Sequence, residues 1–480
     1  MAEGGRTAAV MAAIRGRIAA RGLAPGERLP SIRGLAAAMG VSPSTVVEAY
    51  ERLAAEGAVR SRPGSGFYAA APGPLPAFAE TGPRLDRAVD PLWVSRQSLD
   101  AEPEIPKPGC GWLPPAWMPV AALRRAARGL ARAEDAVLTD YGATRGPLPL
   151  RRLLARQCAG EGLAIGPDQV LLTGSGTQAI DLICRLLVRP GDTVLVDDPC
   201  YFNFQALLRA HRADVVGVPM IEAGPDPERF AQAAAAHRPR LYVTNAALHN
   251  PTGATLSPAI AHRLLNAAAA HDITIVEDDI FAPFEPEPSP RLAALDGLSR
   301  VIRIGSFSKT LSASIRCGYV VAKAEWIEAL IDLQVATSFG GVSPVAAELV
   351  AGVLGDGQYR KHLDSLRRRL DRARREAADR LAPLGIRPWL MPRGGFYLWC
   401  SLPEGRDAAD VARAALREGV VLAPGDVFSV SRTAGSRMRF NVAQMGDARV
   451  MPVLERALAA PVEEPSNRVV RAVGLEPTYP

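Results

Sequence analysis

The chain has 480 residues, 48% hydrophobic and 22% charged, with 56 Lys or Arg against 50 Asp or Glu, and a mean hydropathy of +0.04. That composition suits a folded protein of two or three domains and excludes a mainly disordered, collagenous or coiled-coil chain. Six scattered Cys with no C-x-x-C pair and no His at zinc spacing point to neither a disulfide scaffold nor a metal site. No run of about 18 apolar residues is free of charge, and Arg15, Arg17 and Arg21 interrupt what would have to be the core of a secretion signal, so the expectation is a cytoplasmic protein off the membrane.

Charge is unevenly spread. Residues 1–70 carry nine Arg against five Glu, +4 of the chain's total of +6, as expected of a small nucleic-acid module joined to a larger body; a merely solvated basic face gives the same charge. Only four of the basic residues are Lys: Lys107, Lys309, Lys323 and Lys361.

In chain order, residues 7–21 place Val10, Ile14 and Ile18 on one helical stripe, ended by Gly22 and Pro25-Gly26. Ser31 is the N-cap of a second helix with Ile32, Leu35, Ala36 and Met39 on its apolar face, stopped by Gly40. A third helix starts at Ser42 or Pro43 and carries Val46, Val47, Tyr50, Leu53 and Ala54 to Gly57. Two short helices joined by a tight Gly-containing turn form a helix-turn-helix pattern. Ala58 to Ala69 follows as two short strands around a Gly-rich tip, Arg62-Pro63-Gly64-Ser65-Gly66.

Residues 71–109 are Pro-rich and read as a semi-rigid linker, within which Pro91 to Leu99 has apolar content enough to dock on a neighbour. From about residue 110 the β-rich runs at 194–198, 214–219, 240–245, 273–278, 301–306 and 318–322 alternate mostly with helical segments, predicting an α/β domain with a largely parallel sheet. A smaller α+β subdomain is expected from the pattern around 394–399 and 420–442, within a domain spanning 110–463, and 464–480 reads as a tail.

On the helix-turn-helix reading, the third helix enters the major groove by Ser42, Ser44 and Thr45, while Ser31, Arg33, Arg60 and Arg62 are placed for backbone or minor-groove contacts. Residues 29–68 closely resemble the winged helix-turn-helix of GntR-type bacterial regulators, which implies double-stranded operator DNA as a partner. Pro43 departs from the basic residue usual there.

A cofactor that carries a phosphate, a pyridine ring and an aldehyde needs a backbone nest at a helix start, a stacking aromatic, a carboxylate for the ring nitrogen, an amine and cationic clamps. The chain supplies these in order: Thr173-Gly174-Ser175-Gly176-Thr177-Gln178 before a helix, Tyr201 just past a strand, the polar turn His249-Asn250-Pro251-Thr252-Gly253, Glu277-Asp278-Asp279 at a strand end, and Ser306-Phe307-Ser308-Lys309-Thr310. The set resembles fold-type I pyridoxal-phosphate enzymes of the class I aminotransferase group over about residues 105–460. The resemblance implies that Lys309 carries the cofactor and moves protons, that Asp278 holds the ring nitrogen cationic, that Asn250 bonds the ring hydroxyl and that Tyr201 stacks on the ring. It assigns Ser175, Gly176, Thr177, Ser306 and Arg316 to the phosphate, Arg439 to a substrate α-carboxylate, and Tyr141 to the phosphate of a partner subunit in a homodimer. Phe281 stands where many of these enzymes have a tyrosine that also bonds the ring oxygen; its loss is expected to raise the pKa of the lysine–cofactor linkage and weaken transamination.

The two halves together resemble the MocR subfamily of transcription regulators. That implies a sensor domain in which pyridoxal phosphate, with or without an amine or amino-acid effector, shifts DNA affinity. The alternatives are a working aminotransferase with an attached DNA-binding module, or a structural DNA-binding dimer that holds no cofactor.

Overall fold

A computed structural model describes residues 3–19, 22–62, 64–70, 89–245 and 247–460. The chain divides into two compact units, 1–84 and 85–480.

The first unit is built of helices α1 (Glu3–Ala19), α2 (Ile32–Met39) and α3 (Pro43–Ala55) and the hairpin strands β1 (Val59–Arg62) and β2 (Gly66–Ala69). Helix α1 begins at Glu3, one turn before the apolar stripe predicts; residues 20–21 of the predicted helix lie outside the described residues. Ser31 Oγ accepts the Gly34 N–H (3.1 Å) and Ser42 Oγ the Thr45 N–H (3.2 Å), so both predicted caps close the free ends of their helices. Gly40, at φ +63°, takes the left-handed conformation that ends α2 and re-aims the chain into α3. Val10 and Ile14 of α1 pack with Leu35, Val46, Tyr50 and Leu53 in one core. The Tyr50 hydroxyl donates to Pro30 O (2.9 Å), tying α3 to the start of α2. In the hairpin Val59 faces Ala69 and Arg62 faces Gly66, and Arg28 bridges to Tyr68 on its other edge, completing a wing.

The second unit opens with α4 (Pro91–Asp100), capped by Asp90 Oδ1 on the Trp93 N–H (2.7 Å). The linker predicted over 71–109 is therefore shorter: Trp93 and Val94 are buried in the core beneath the small sheet, and 106–109 hydrogen-bonds along residues 421 and 441. The docking expected of Pro91–Leu99 is thus observed, driven by burial of an indole, although the segment is a helix of the second unit and not part of a linker. Residues 71–88 and the 464–480 tail lie outside the described residues.

The large sheet holds β3 (Val170–Thr173), β4 (Thr193–Asp198), β5 (Asp214–Ile221), β6 (Gly224–Pro225), β7 (Leu241–Thr244), β8 (Thr274–Asp278), β9 (Val301–Ser306) and β10 (Gly318–Val321) in the order β3-β10-β9-β8-β7-β4-β5-β6. Strands β5, β4, β7, β8 and β9 run parallel, whereas β10 is antiparallel to both neighbours and β6 to β5. Alternation splits the apolar side chains between two cores, Leu195, Tyr242 and Ile275 on one face and Val194, Val243 and Val276 on the other. The small sheet is antiparallel, ordered β11 (Arg387–Pro388), β12 (Tyr397–Ser401), β14 (Arg437–Asn441), β13 (Ala423–Pro424). The carboxyl ends of β4, β7, β8 and β9 converge, where doubly wound sheets leave room for a ligand.

Candidate cofactor site and nucleic-acid head

At the end of β3 the chain turns at Thr173-Gly174-Ser175 into a helix, Gly176–Leu187. Ser175 Oγ accepts the Gln178 N–H (3.0 Å), and the Thr173 hydroxyl donates to Ser175 O (3.0 Å). Free N–H groups at this helix start face the cleft with the positive end of the helix dipole. A Cβ on Gly318 would stand 2.6 Å from the Ser175 carbonyl carbon, so only glycine lets β10 pass this close to the turn. Ser306 closes the other side, its hydroxyl donating to Cys317 O (3.2 Å) and accepting the Ser308 N–H (3.2 Å). Arg316 lines the same end of the cleft at φ +56°, a conformation costly for a side chain other than glycine.

The cleft brings together Ser175, Gly176, Thr177, Tyr201, Asn250, Asp278, Ser306, Lys309 and Arg316, nine of the predicted residues. The Lys309 ammonium donates to Gly111 O. Burial, reinforced by the charge of Arg439, pulls its pKa down to about 8. Asp278 is buried and accepts the Ile280 N–H (3.1 Å), and burial pushes its carboxyl up to about 7. Glu277-Asp278-Asp279 ends β8 by period-two alternation: Asp278 faces the cleft, while Asp279 pairs on the far side with Arg303 (2.5 Å) and Arg291 (3.0 Å). Tyr201 follows β4, its ring packed edge-on to Phe204 at 5.4 Å.

These donors fit pyridoxal phosphate. A buried carboxylate held near neutrality is offset by a cationic ring nitrogen, a half-buried amine of lowered pKa suits an aldehyde, and a hydroxyl-rich helix start beside an arginine suits a phosphate.

Two predicted residues stand outside the lining. Arg439 is 1% exposed and lies behind Asn250, donating to Asn250 Oδ1 (2.8 Å) and Gly109 O (2.7 Å), with its Nε unpartnered and the Tyr397 ring 4.1 Å away. Tyr141 is 75% exposed and packs edge-on against Phe339, itself 68% exposed.

Sequence reasoning missed Ile180, Asn245, Ile280, Ser308 and Tyr397 in the lining. Asn245 is the most structural of them: its Nδ2 donates to Asp278 O (2.5 Å) and its Oδ1 accepts the Asn250 N–H (3.0 Å), joining two site residues. Buried Asp197 anchors this loop, accepting from Tyr242, from the Thr244 hydroxyl (2.8 Å) and from the Asn245 N–H (3.4 Å). A polar residue directly after an apolar strand was the signal for Asn245. Phe281 is buried and stacked edge-on with Phe396 and Tyr397 at 5.5 Å, which explains a phenyl ring there.

In the head, Arg33, Ser44, Arg60 and Arg62 are exposed, while Ser31 and Ser42 are exposed but already serve as caps. Ser42 Oγ shares hydrogen bonds with the Ser44 and Thr45 hydroxyls (2.8 Å each), so the leading edge of α3 is a linked cluster of hydroxyls. Arg62 lies over the Tyr68 ring at 4.6 Å. No helix among the described residues is long and apolar enough to cross a membrane, and no group of three or more His, Cys, Asp or Glu among them could hold a metal ion.

Comparison with known proteins agrees with both halves. The profile "Aminotransferase class I and II" matches residues 114–456, and "Bacterial regulatory proteins, gntR family" matches residues 6–69. The chain is 29% identical over 439 residues to the HTH-type transcriptional regulator YdcR of Escherichia coli (strain K12), covering 90% of this chain and 93% of that protein. It is 28% identical to aromatic-amino-acid aminotransferase 1 of Thermococcus litoralis, covering 74% and 87%. The solved structure of LysN, the α-aminoadipate aminotransferase of Thermus thermophilus, complexed with N-(5'-phosphopyridoxyl)-L-leucine, aligns with a TM-score of 0.69 at 28% identity over 76% of this chain and 94% of that one. The chain therefore belongs to the aminotransferase class I and II family and carries a GntR-family helix-turn-helix domain at its N-terminal end, the organisation of the MocR subfamily of transcription regulators.

Proposed function

We propose that this is a pyridoxal-phosphate-dependent transcription regulator: its head binds operator DNA, and its aminotransferase-like unit senses the cofactor, with or without an amine or amino acid. The observation that carries the reading is that one chain holds a capped winged head with exposed arginines and a cleft assembled around Lys309 and Asp278. The bound cofactor supplies an electrophilic carbon for amines and an electron-withdrawing ring.

The protein's own groups do the rest. With its pKa near 8, Lys309 has a neutral fraction at physiological pH, so it can bind covalently and be displaced by an incoming amine. Asp278 holds the proton on the ring nitrogen, and Asn250 orients the ring. Arg439, a buried guanidinium with an unpartnered Nε, is the reserve of positive charge for an effector carboxylate. Tyr141 and Phe339 form an exposed aromatic pair suited to a second copy of the chain, so the working unit is a homodimer whose Tyr141 reaches the other copy's phosphate. The protein acts in the cytoplasm. Effector binding shifts a two-state equilibrium of the dimer; couplings of this kind are worth about 1–3 kcal/mol, or roughly 5–150-fold in DNA affinity.

Catalytic transamination is the second reading, favoured by the intact Lys309 and Asp278 pair and weakened by Phe281. Steady production of keto acid from an amino-acid panel with a keto-acid acceptor would establish it. A single half-reaction without turnover fits the sensor.

A further inference from the structure

Residues Gln358–Leu381 form one 24-residue helix with nine Lys or Arg against four Asp or Glu. With the +4 of residues 1–70 its net +5 accounts for more than the chain's +6, so the remaining residues are net acidic and the positive charge is gathered in the head and in this helix. The charges are ordered by the helical period. Leu366, Leu370, Ala377 and Leu381 are buried on one face. Lys361, Arg368, Arg372 and Arg375 fall on the opposite, exposed face, within about 60° of one another at 3.6 residues per turn. The row extends over roughly 21 Å at 1.5 Å per residue. Arg375 pairs with Asp371 (2.6 Å), but Lys361, Arg368 and Arg372 make no ion pair with a described residue. Asp364 is taken by Arg367 (3.1 Å), and Asp371 also by Arg374 (3.1 Å). Exposed Glu376 and Asp379 mark where the basic row ends. Arg369, to one side, is packed over the Trp117 ring at 3.8 Å, which holds that flank of the helix still.

None of this serves the cleft. A solvated helix face needs no such bias, since like charges one to two turns apart repel. A row of unpaired cations spaced at about one to two helical turns matches a run of phosphates, which neutralise it with release of counterions. From this we infer that the exposed face of helix Gln358–Leu381 is a second, sequence-independent contact for the phosphodiester backbone of DNA engaged by the same protein. The inference rests on the DNA-binding reading above and extends it to the aminotransferase-like unit.

The test uses the full-length, cofactor-loaded protein and a fluorescein-labelled duplex of about 60 base pairs from upstream of its own gene, titrated by anisotropy over a range of salt. The variant Lys361→Gln/Arg368→Gln/Arg372→Gln is expected to lower the slope of log affinity against log salt by about 2–3, at roughly 0.9 per lost phosphate contact. Affinity at 0.1 M salt should fall by about tenfold or more. The charge-conserving variant Lys361→Arg/Arg368→Lys/Arg372→Lys should keep the wild-type slope, and both variants should keep the cofactor's visible absorbance, which shows that they are folded. An unchanged slope in the Gln variant overturns the inference. So does loss of binding to vesicles of phosphatidylserine and phosphatidylcholine with the DNA slope unaltered, which would make the occupant an anionic lipid surface. Preference for the upstream duplex over a scrambled one reports on the head: if that preference is absent the regulator reading fails, whereas preference with an insensitive slope sinks only the helix contact.

Discussion

The head and the cleft use polar side chains in opposite ways. In the cleft Asp278 is buried and Lys309 half-buried, and desolvation moves both toward neutrality, to about 7 and about 8. Each is costly to the fold without a partner. In the head, Arg33, Arg60 and Arg62 are exposed and cost nothing, but each is worth little until a polyanion arrives. Changes in the cleft should therefore act as switches, and changes in the head as gradual, salt-dependent losses.

The largest break is expected from Lys309→Ala, which removes the amine: the visible absorbance of the covalently bound cofactor should vanish and the DNA response to added cofactor with it. A variant that keeps both would remove Lys309 from the account. Next is Asp278→Asn, expected to weaken cofactor binding by roughly 10–100-fold, in line with the loss of a buried charge pair of about 1.4–3 kcal/mol. Its effect on the cofactor-free protein has the opposite sign. Because the folded carboxyl titrates near 7 against an ordinary value of 3.8, ionisation destabilises the fold increasingly as pH rises from about 4 to 7, and the penalty is fully present above 7. The cofactor-free Asn variant should thus melt higher than wild type at pH 8 and equally at pH 4; equal melting at pH 8 contradicts the burial argument.

Smaller effects are expected in the head. Ser42→Ala removes the cap of α3 and should cost about 1 kcal/mol in the stability of the head, with part of the hydroxyl cluster lost from DNA. Arg33→Ala should leave stability unchanged and reduce the salt slope of DNA binding by about 1. A salt-independent loss there would place Arg33 off the phosphates. Phe281→Tyr sharpens the comparison from the cleft side: a hydroxyl at that position is expected to lower the pKa of the cofactor linkage in an absorbance titration, with DNA affinity unaltered.

Legibility in the sequence followed the strength of local chemistry. The head could be read almost element by element, because Ser31, Gly40 and Ser42 act on their own neighbours through caps and a left-handed turn. The β-rich runs of the large sheet were equally plain, since strands covered on both faces are continuous apolar stretches. Asp278 was recoverable from the Glu277-Asp278-Asp279 triplet only because it resembles a known motif; the alternation that separates it from Asp279 needs the register of β8. Tyr397 was illegible as a cleft residue because it reaches the cleft through long-range packing, and Asn245 had only its place after an apolar strand to mark it; the docking expected of Pro91–Leu99 is seen in Trp93 and Val94, but its helix was not read from the Pro-rich composition. For Arg439 the sequence suggested a role, but its position behind Asn250 depends on how the small sheet meets the large one.

The central claim, that cofactor state is read out as DNA affinity, is tested most directly by anisotropy of the full-length protein on DNA from upstream of its own gene, with and without pyridoxal phosphate at fixed salt. The account predicts sequence-specific binding whose affinity or stoichiometry changes on cofactor addition in the wild type and not in Lys309→Ala. Specific binding indifferent to pyridoxal phosphate, or no specific binding at all, would contradict it.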